Sequence, residues 1–154
     1  DVCKGRVIIL YFNDFVLLNT YVPNTCQGTL AEDKRREWHN VIKTWLTNQQ
    51  YIIWTGDLNV VDEPLMDTTH SKCRKDVAGL KQFEKDQFEE YKKMGLIDAF
   101  RHLHPDVKSY TWRSNFNHSV KWRLDYFLTT IKVKSIEHLT NYTGSDHIPI
   151  MLFI

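Results

Sequence analysis

Two apolar, β-branched runs open the chain, residues 6–12 (RVIILYF) and 15–22 (FVLLNTYV), separated by Asn13-Asp14. Such runs around a two-residue polar break predict a β-hairpin. A polar loop with Pro23 and Gly28 follows. Over residues 32–49 the period changes: Trp38, Val41, Ile42, Trp45 and Leu46 recur at helical spacing, with Lys34, Arg35, Glu37 and Lys43 on the other face. This predicts an amphipathic helix with a solvated charged side. Residues 51–55 (YIIWT) form a short apolar run typical of a buried strand, ending in Gly56-Asp57-Leu58-Asn59. Residues 62–79 read as a long loop. Residues 80–94 read as a second helix, with Phe83, Phe88 and Tyr91 to pack and Gly95 to stop it. Short strands are expected over 109–112, 123–129, 132–137 and 148–154. The alternation of strands and helices predicts an α/β (α+β) class with a largely antiparallel sheet. No repeat, low-complexity stretch or linker divides the chain.

Composition narrows this picture more than it redirects it. At 154 residues, 42% hydrophobic and 25% charged, the chain suits one globular domain with a sizeable core. The formal net charge of +1 does not announce a nucleic-acid binder. Three basic clusters, Lys34-Arg35-Arg36, Lys72 with Arg74-Lys75, and Lys92-Lys93, read as solvated helix faces and loops. Cys3, Cys26 and Cys73 make an odd set without metal-binding spacing, which argues against a disulfide scaffold or zinc site and for a reducing, intracellular setting. Asn117-His118-Ser119 and Asn141-Tyr142-Thr143 fit a glycosylation acceptor, relevant only in a secreted chain. No signal peptide or transmembrane run is visible, so no membrane partner is expected. Because the first residue is Asp, a start upstream is expected.

Three polar islands border apolar strands and carry the candidate chemistry. Asp57 and Asn59 follow YIIWT; Asp125 sits within Trp122–Leu128; Ser145-Asp146-His147 precedes the final strand. Carboxylates at strand ends can converge on one sheet edge and hold a hard cation such as Mg²⁺. A histidine beside them can hydrogen-bond a phosphate oxygen while an aspartate orients its ring. Gly-Asp-x-Asn and Ser-Asp-His also serve as ordinary turns. Asp125 is harder to read as structure alone, because a carboxylate buried in an aromatic strand needs a partner. Asn19, Tyr21 and Asn24, near the end of the second strand, are weak signals singly.

The ordered strings Tyr21-Val22-Pro23-Asn24, Gly56-Asp57-Leu58-Asn59, Trp122-Arg123-Leu124-Asp125-Tyr126-Phe127-Leu128 and Gly144-Ser145-Asp146-His147-Ile148-Pro149-Ile150 resemble the motifs of the exonuclease III family of apurinic endonucleases. Residues 96–105 (LIDAFRHLHP) and Tyr110-Thr111-Trp112 are similar to that family too. The resemblance implies part of a four-layer α/β sandwich, with residues 1–154 as the C-terminal half of the domain. The N-terminal half, with a metal-binding Glu, would then be absent. It implies a base-excision-repair enzyme that hydrolyses the phosphodiester 5′ to an abasic site in DNA, with 3′-exonuclease or phosphodiesterase activity beside it. Mg²⁺ would be the cofactor, with Mn²⁺ as a substitute.

By the same resemblance, Asp57 deprotonates the attacking water and Asn59 orients it. His147 stabilises phosphoryl charge, Asp125 holds its imidazole, and Tyr21 and Asn24 meet the phosphate or leaving group. Asp57, Asn59 and Asp146 form this half's metal site. Asn24, Gln27, Arg123 and His147 face DNA, and Trp112, Trp122 and Leu124 wall the abasic-sugar pocket. Two departures are visible. Gln27 stands where many members carry a basic residue, and the loop between Trp112 and Trp122 is short. The alternatives are another superfamily phosphodiesterase (a retrotransposon or non-specific nuclease, or a lipid or inositol phosphatase) and a catalytically incomplete nucleic-acid-binding fragment.

Overall fold

The computed structural model describes residues 1–26, 28–69 and 76–154. The expected DNA contact Gln27, the cluster Lys72/Arg74-Lys75 and Cys73 lie outside the described residues.

The first hairpin forms as the pattern predicts. Strands β1 (Val7–Tyr11) and β2 (Val16–Tyr21) pair antiparallel. The Phe12 N–H donates to the Phe15 carbonyl at 2.9 Å, and the two rings stack with centroids 4.7 Å apart. From β2 the chain crosses through helix α1 (Thr29–Leu46) into β3 (Ile52–Asp57), which lies parallel to β2. Strand β7 (Asp125–Thr129) is antiparallel to β3 on its other side, and β4 (Ile97–Asp98) closes that edge. The sheet order is therefore β1-β2-β3-β7-β4. Its β2–β3 pair is the parallel one; the rest of the described pairing is antiparallel, as expected.

Central β3 is covered on both faces, which explains its unbroken apolar run. On one side Trp38, Ile42 and Leu46 of α1 and Phe88 and Tyr91 of α3 (Gln82–Lys93) pack on Leu18, Trp54 and Leu128. On the other, Ile53 and Phe127 meet Phe100 of helix α4 (Ala99–Leu103) and Ile136 of β8 (Ser135–His138). Strand β8 pairs with β9 (Ile150–Phe153) in a separate antiparallel sheet. Helices, main sheet and small sheet thus stack in layers, the arrangement of an α/β sandwich.

Several expectations are corrected. Helix α1 begins before residue 32, with Gly28 at its N-cap, and ends before residue 49. Its buried face runs Arg35, Trp38, His39, Ile42, Leu46, while Val41 is exposed. Arg35 is therefore not on the solvated side. The segment read as a loop over 62–79 contains a short helix, α2 (Pro64–Asp67). Helix α4 and the two-residue strands β4 and β6 (Lys121–Trp122) are not among the expected elements, and the strand expected over 109–112 appears only as β5 (Trp112–Arg113). Elements of two to five residues are too short to show a hydrophobic period, so tertiary bonds decide them. Asp98 shows how: its carboxylate accepts the N–H groups of Phe100 and Arg101 and caps α4.

Candidate active site

At the C-terminal end of β3 the backbones of β2 and β3 approach closely. A Cβ on Gly56 would fall 2.0 Å from the Thr20 carbonyl oxygen, and its φ is +123°, so only glycine fits. This places Asp57 in register with Tyr21 on one side and Asp125 on the other. Tyr21, Asp57 and Asp125 thus meet on one edge because β2 and β3 end there and the antiparallel β7 begins there.

Beyond Asp57 the chain turns sharply. The Asn59 N–H donates to Asp57 Oδ1 at 2.8 Å, and Asn59 holds a left-handed φ of 47°. The Asn59 amide then braces the next loop. Its Nδ2 donates to the Val22 carbonyl at 2.8 Å, and its Oδ1 accepts from Asn24 Nδ2 at 3.0 Å. From behind, the buried Arg35 guanidinium donates to the carbonyls of Pro23 (3.1 Å) and Leu58 (3.0 Å), clamping both loops. The helical spacing of Arg35 with Trp38 and Ile42 was the signal that could have shown this role.

Asp125 finds its partner. Its Oδ2 lies 2.7 Å from His147 Nδ1, within hydrogen-bond reach. Asp146 Oδ2 accepts from Trp112 Nε1 at 3.1 Å, and Trp112 bridges His147 through its backbone. Trp112, Asp146 and His147 open on a cavity of about 350 Å³. Tyr21, Asn24, Asp57, Asn59, Asp146 and His147 line its polar part, and Trp112, Trp122 and Leu124 its apolar wall. The two indoles lie 5.5 Å apart, and Gly79 allows the Trp122 ring to pass within van der Waals reach of its backbone. Val77, Ala78 and Cys26 also line the cavity without having been singled out. A second cavity of about 410 Å³ adjoins at Tyr21 and Asn24, with Arg6 and Lys34 on its rim.

The electrostatics are unbalanced. Burial, with the Asp125 charge beside it, pushes the Asp57 carboxyl up to about 7. Burial pulls the His147 imidazole down, but its hydrogen bond to Asp125 and the charges of Asp125, Asp57 and Asp146 outweigh this and leave it above its usual value. A carboxylate held back from ionising by neighbouring negative charge is one that a cation would stabilise. Asp57 and Asp146, with Asn59 nearby, are hard oxygen donors around one cavity and fit part of an Mg²⁺ site, which keeps several waters. Among the described residues, no three His, Cys, Asp or Glu side chains converge as a complete metal cluster.

Arg123 requires a correction. It was expected to face DNA, yet it is fully buried. Its Nε and Nη2 bind the two Asp67 carboxylate oxygens at 2.8 and 2.9 Å, and Nη1 pairs with Asp98 at 2.7 Å. Arg123 is hydrogen-bonded to Asp67 through Nε and Nη2 and only ion-paired to Asp98 through Nη1, which lacks hydrogen-bond geometry, so it holds the strand bearing Leu124 and Asp125 rather than contacting a ligand.

The family model described as Endonuclease/Exonuclease/phosphatase family matches residues 2–147. A DNA-(apurinic or apyrimidinic site) endonuclease of Dictyostelium discoideum is 36% identical, over 96% of this chain and 45% of its own length. An exodeoxyribonuclease of Bacillus subtilis (strain 168) is 31% identical, over 98% of this chain and 64% of its own length. Among solved structures, an AP endonuclease from Archaeoglobus fulgidus superposes with a TM-score of 0.81 at 20% identity, covering 94% of this chain and 63% of that one. The last comparison bears on fold alone. The chain spans about half to two thirds of the length of these relatives.

Proposed function

We propose, from the premise that this chain belongs to the Endonuclease/Exonuclease/phosphatase family, that it is the larger part of the active site of a DNA-repair apurinic/apyrimidinic endonuclease. The observation that carries this reading is the Asp125–His147 pair, 2.7 Å apart, set beside Asp57 at the mouth of an apolar-walled cavity. The reaction is hydrolysis of the phosphodiester 5′ to an abasic site, with removal of 3′-terminal groups as a lesser activity.

Asp57 accepts the proton of the attacking water as the new O–P bond forms. In the metal-free protein, burial raises the proton affinity of this carboxyl above that of a free aspartate, the direction a base requires. His147, oriented by Asp125 and with its proton affinity raised by that carboxylate, donates toward a non-bridging phosphate oxygen and stabilises the charge that develops there. Tyr21 and Asn24 contact the phosphate on the opposite rim. As the P–O bond breaks, the upstream nucleotide leaves as a 3′-alkoxide that takes a proton from solvent to become the 3′-hydroxyl, and Asp57 returns the proton it accepted to solvent. Mg²⁺, with Mn²⁺ as a substitute, supplies Lewis-acid charge neutralisation when held by Asp57 and Asp146 near Asn59. Trp112, Trp122 and Leu124 admit a flipped sugar that lacks its base and exclude an intact nucleotide.

The reading includes a second half-domain in a further polypeptide segment, contributing the remaining metal carboxylate. The exposed apolar side chains Ile8 and Leu10 of β1, with Met151 and Phe153 of β9, support such a covering segment. The free thiols Cys3 and Cys26 and the nuclease chemistry fit an intracellular setting. No helix among the described residues is long and apolar enough to cross a membrane.

The test compares cleavage of abasic duplex, intact duplex and a phosphoinositide in Mg²⁺ by the chain joined to its upstream segment. Preferential incision of the abasic duplex is expected. Equal cleavage of intact duplex, or preference for the phosphoinositide, would assign the site to another branch of the family. Residues 1–154 alone should incise poorly, and adding the upstream half as a separate polypeptide should restore activity.

A further inference from the structure

Asp125 and His147 must meet within 2.7 Å, yet they come from different sheets. Asp125 opens β7 in the five-stranded sheet, whereas His147 precedes β9 of the two-stranded one. No common ladder sets their register. The segment that lies between them is 111–113, and one residue in it bonds directly to both sides.

That residue is Thr111, 1% exposed. Its Oγ1 accepts two backbone N–H groups, from Leu124 and from Asp125, each at 3.0 Å. Its own N–H donates to the Trp122 carbonyl at 2.9 Å, and its carbonyl accepts the Ile148 N–H at 2.8 Å. A hydroxyl oxygen has two lone pairs and can accept both N–H groups at once, which no aliphatic side chain of the same shape can do. Two residues on, the Arg113 N–H donates to the Asp146 carbonyl at 2.9 Å, so the contact with the His147 segment is continued.

We infer that Thr111 is a positioning residue for the Asp125–His147 pair, holding the start of β7 through its hydroxyl and the segment after His147 through its backbone. The consequence for turnover rests on the phosphodiesterase reading; the geometric role does not. Valine at this position keeps the shape and the backbone bonds but removes the acceptor for two buried N–H groups. The Asp125 backbone is then free to shift, and a displacement of about 1 Å at a reacting group can cost roughly 10²-fold in rate. Serine restores the acceptor.

The experiment uses the ¹⁵N-labelled chain joined to its upstream segment, with its Thr111→Val and Thr111→Ser variants. The parent and T111S should show a slowly exchanging, downfield His147 Nδ1 proton. T111V should lose that signal while the amides of Leu18, Trp54 and Leu128 stay protected. In the enzyme joined to its upstream segment, kcat should fall roughly 10²-fold in T111V with KM nearly unchanged, and stay within about threefold of the parent in T111S. Retention of the His147 signal in T111V, or its equal loss in T111S, would overturn the proposal. Should T111V fail to fold, hydrogen exchange in the parent decides: the Leu124 and Asp125 amides must be protected, and exchange at open-loop rates would refute the assignment. If T111V loses the signal while Asp57→Asn leaves incision untouched, the positioning role stands and the reaction reading falls. The converse result sinks the positioning role alone.

Discussion

Arg123 and Asp125 are two residues apart on one stretch of chain, and they sit in opposite electrostatic surroundings. Around Arg123, two carboxylates and a second arginine close on one another: Arg101 Nη2 also reaches Asp67 at 2.7 Å. Arg123 and Asp67 are fully buried, and their opposite charges lie in direct bidentate contact. Around Asp125, three carboxylates share one imidazole, and Asp57 is left with a pKa near 7. A neutralised, enclosed cluster serves to hold strands. An unbalanced cluster at a cavity mouth lowers stability, and the surplus charge there is what a proton, a cation or a phosphate can answer. The two residues therefore differ in kind: Arg123 is enclosed and paired, whereas Asp125 belongs to the unbalanced cluster beside the cavity.

The contrast can be broken most forcefully at Arg123. Arg123→Met should leave Asp98 buried without its cationic partner and Asp67 with Arg101 alone, and cost about 3–5 kcal/mol of unfolding free energy. Urea denaturation measures this, and a loss below about 1 kcal/mol would mean the cluster holds little.

A somewhat smaller effect is expected from pH. Because the folded Asp57 pKa, about 7, exceeds its ordinary 3.8, the folded state favours the protonated acid. Stability from this group is full below pH 4, declines as pH rises through 7, and is then lost, with a ceiling of about 4 kcal/mol. Asp57→Asn in EDTA should flatten that dependence. The variant should be more stable than the parent at pH 8 and equal to it near pH 4. Parallel pH curves for parent and variant would contradict the unbalanced-charge account.

The smallest effect sharpens the comparison from outside. Lys43 and Glu90 form an ion pair with both side chains partly exposed, at 44% and 42%. Lys43→Ala should change stability by no more than about 0.5–1 kcal/mol, because water screens such a pair. A loss as large as that of Arg123→Met would erase the distinction between enclosed and exposed charge.

Asp57, Asn59, Asp125, Asp146 and His147 were readable because each interrupts or borders an apolar run, whereas Tyr21, Asn24 and the apolar wall came from the family resemblance, and Cys26, Val77 and Ala78 carried no signal. Asp125 inside an aromatic strand demanded a partner, and His147 is there at 2.7 Å. Central strand β3 and the helices α1 and α3 were readable for the same reason, since their apolar periods are long. Arg35 and Arg123 misled because arginine in a sequence signals solvent or anion, and nothing local marks the carbonyls and carboxylates that bury it. Thr111 gave no signal beyond its place in Tyr110-Thr111-Trp112, since its two accepted N–H groups come from residues 124 and 125. Helices α2 and α4 were invisible because four or five residues cannot display a period, and distant partners such as Arg101 and Arg123 stabilise them.

The central claim is that Asp57 is placed for chemistry at the expense of stability, and one variant tests both halves. Asp57→Asn, in the chain joined to its upstream segment, should lower incision of an abasic duplex in Mg²⁺ by roughly 10²–10⁴-fold. The same substitution should raise the urea midpoint at pH 8 in EDTA. Opposite movements of turnover and stability are the predicted result. Turnover within about threefold of the parent, set against the loss expected for a general base, would contradict the account, as would a fall in stability.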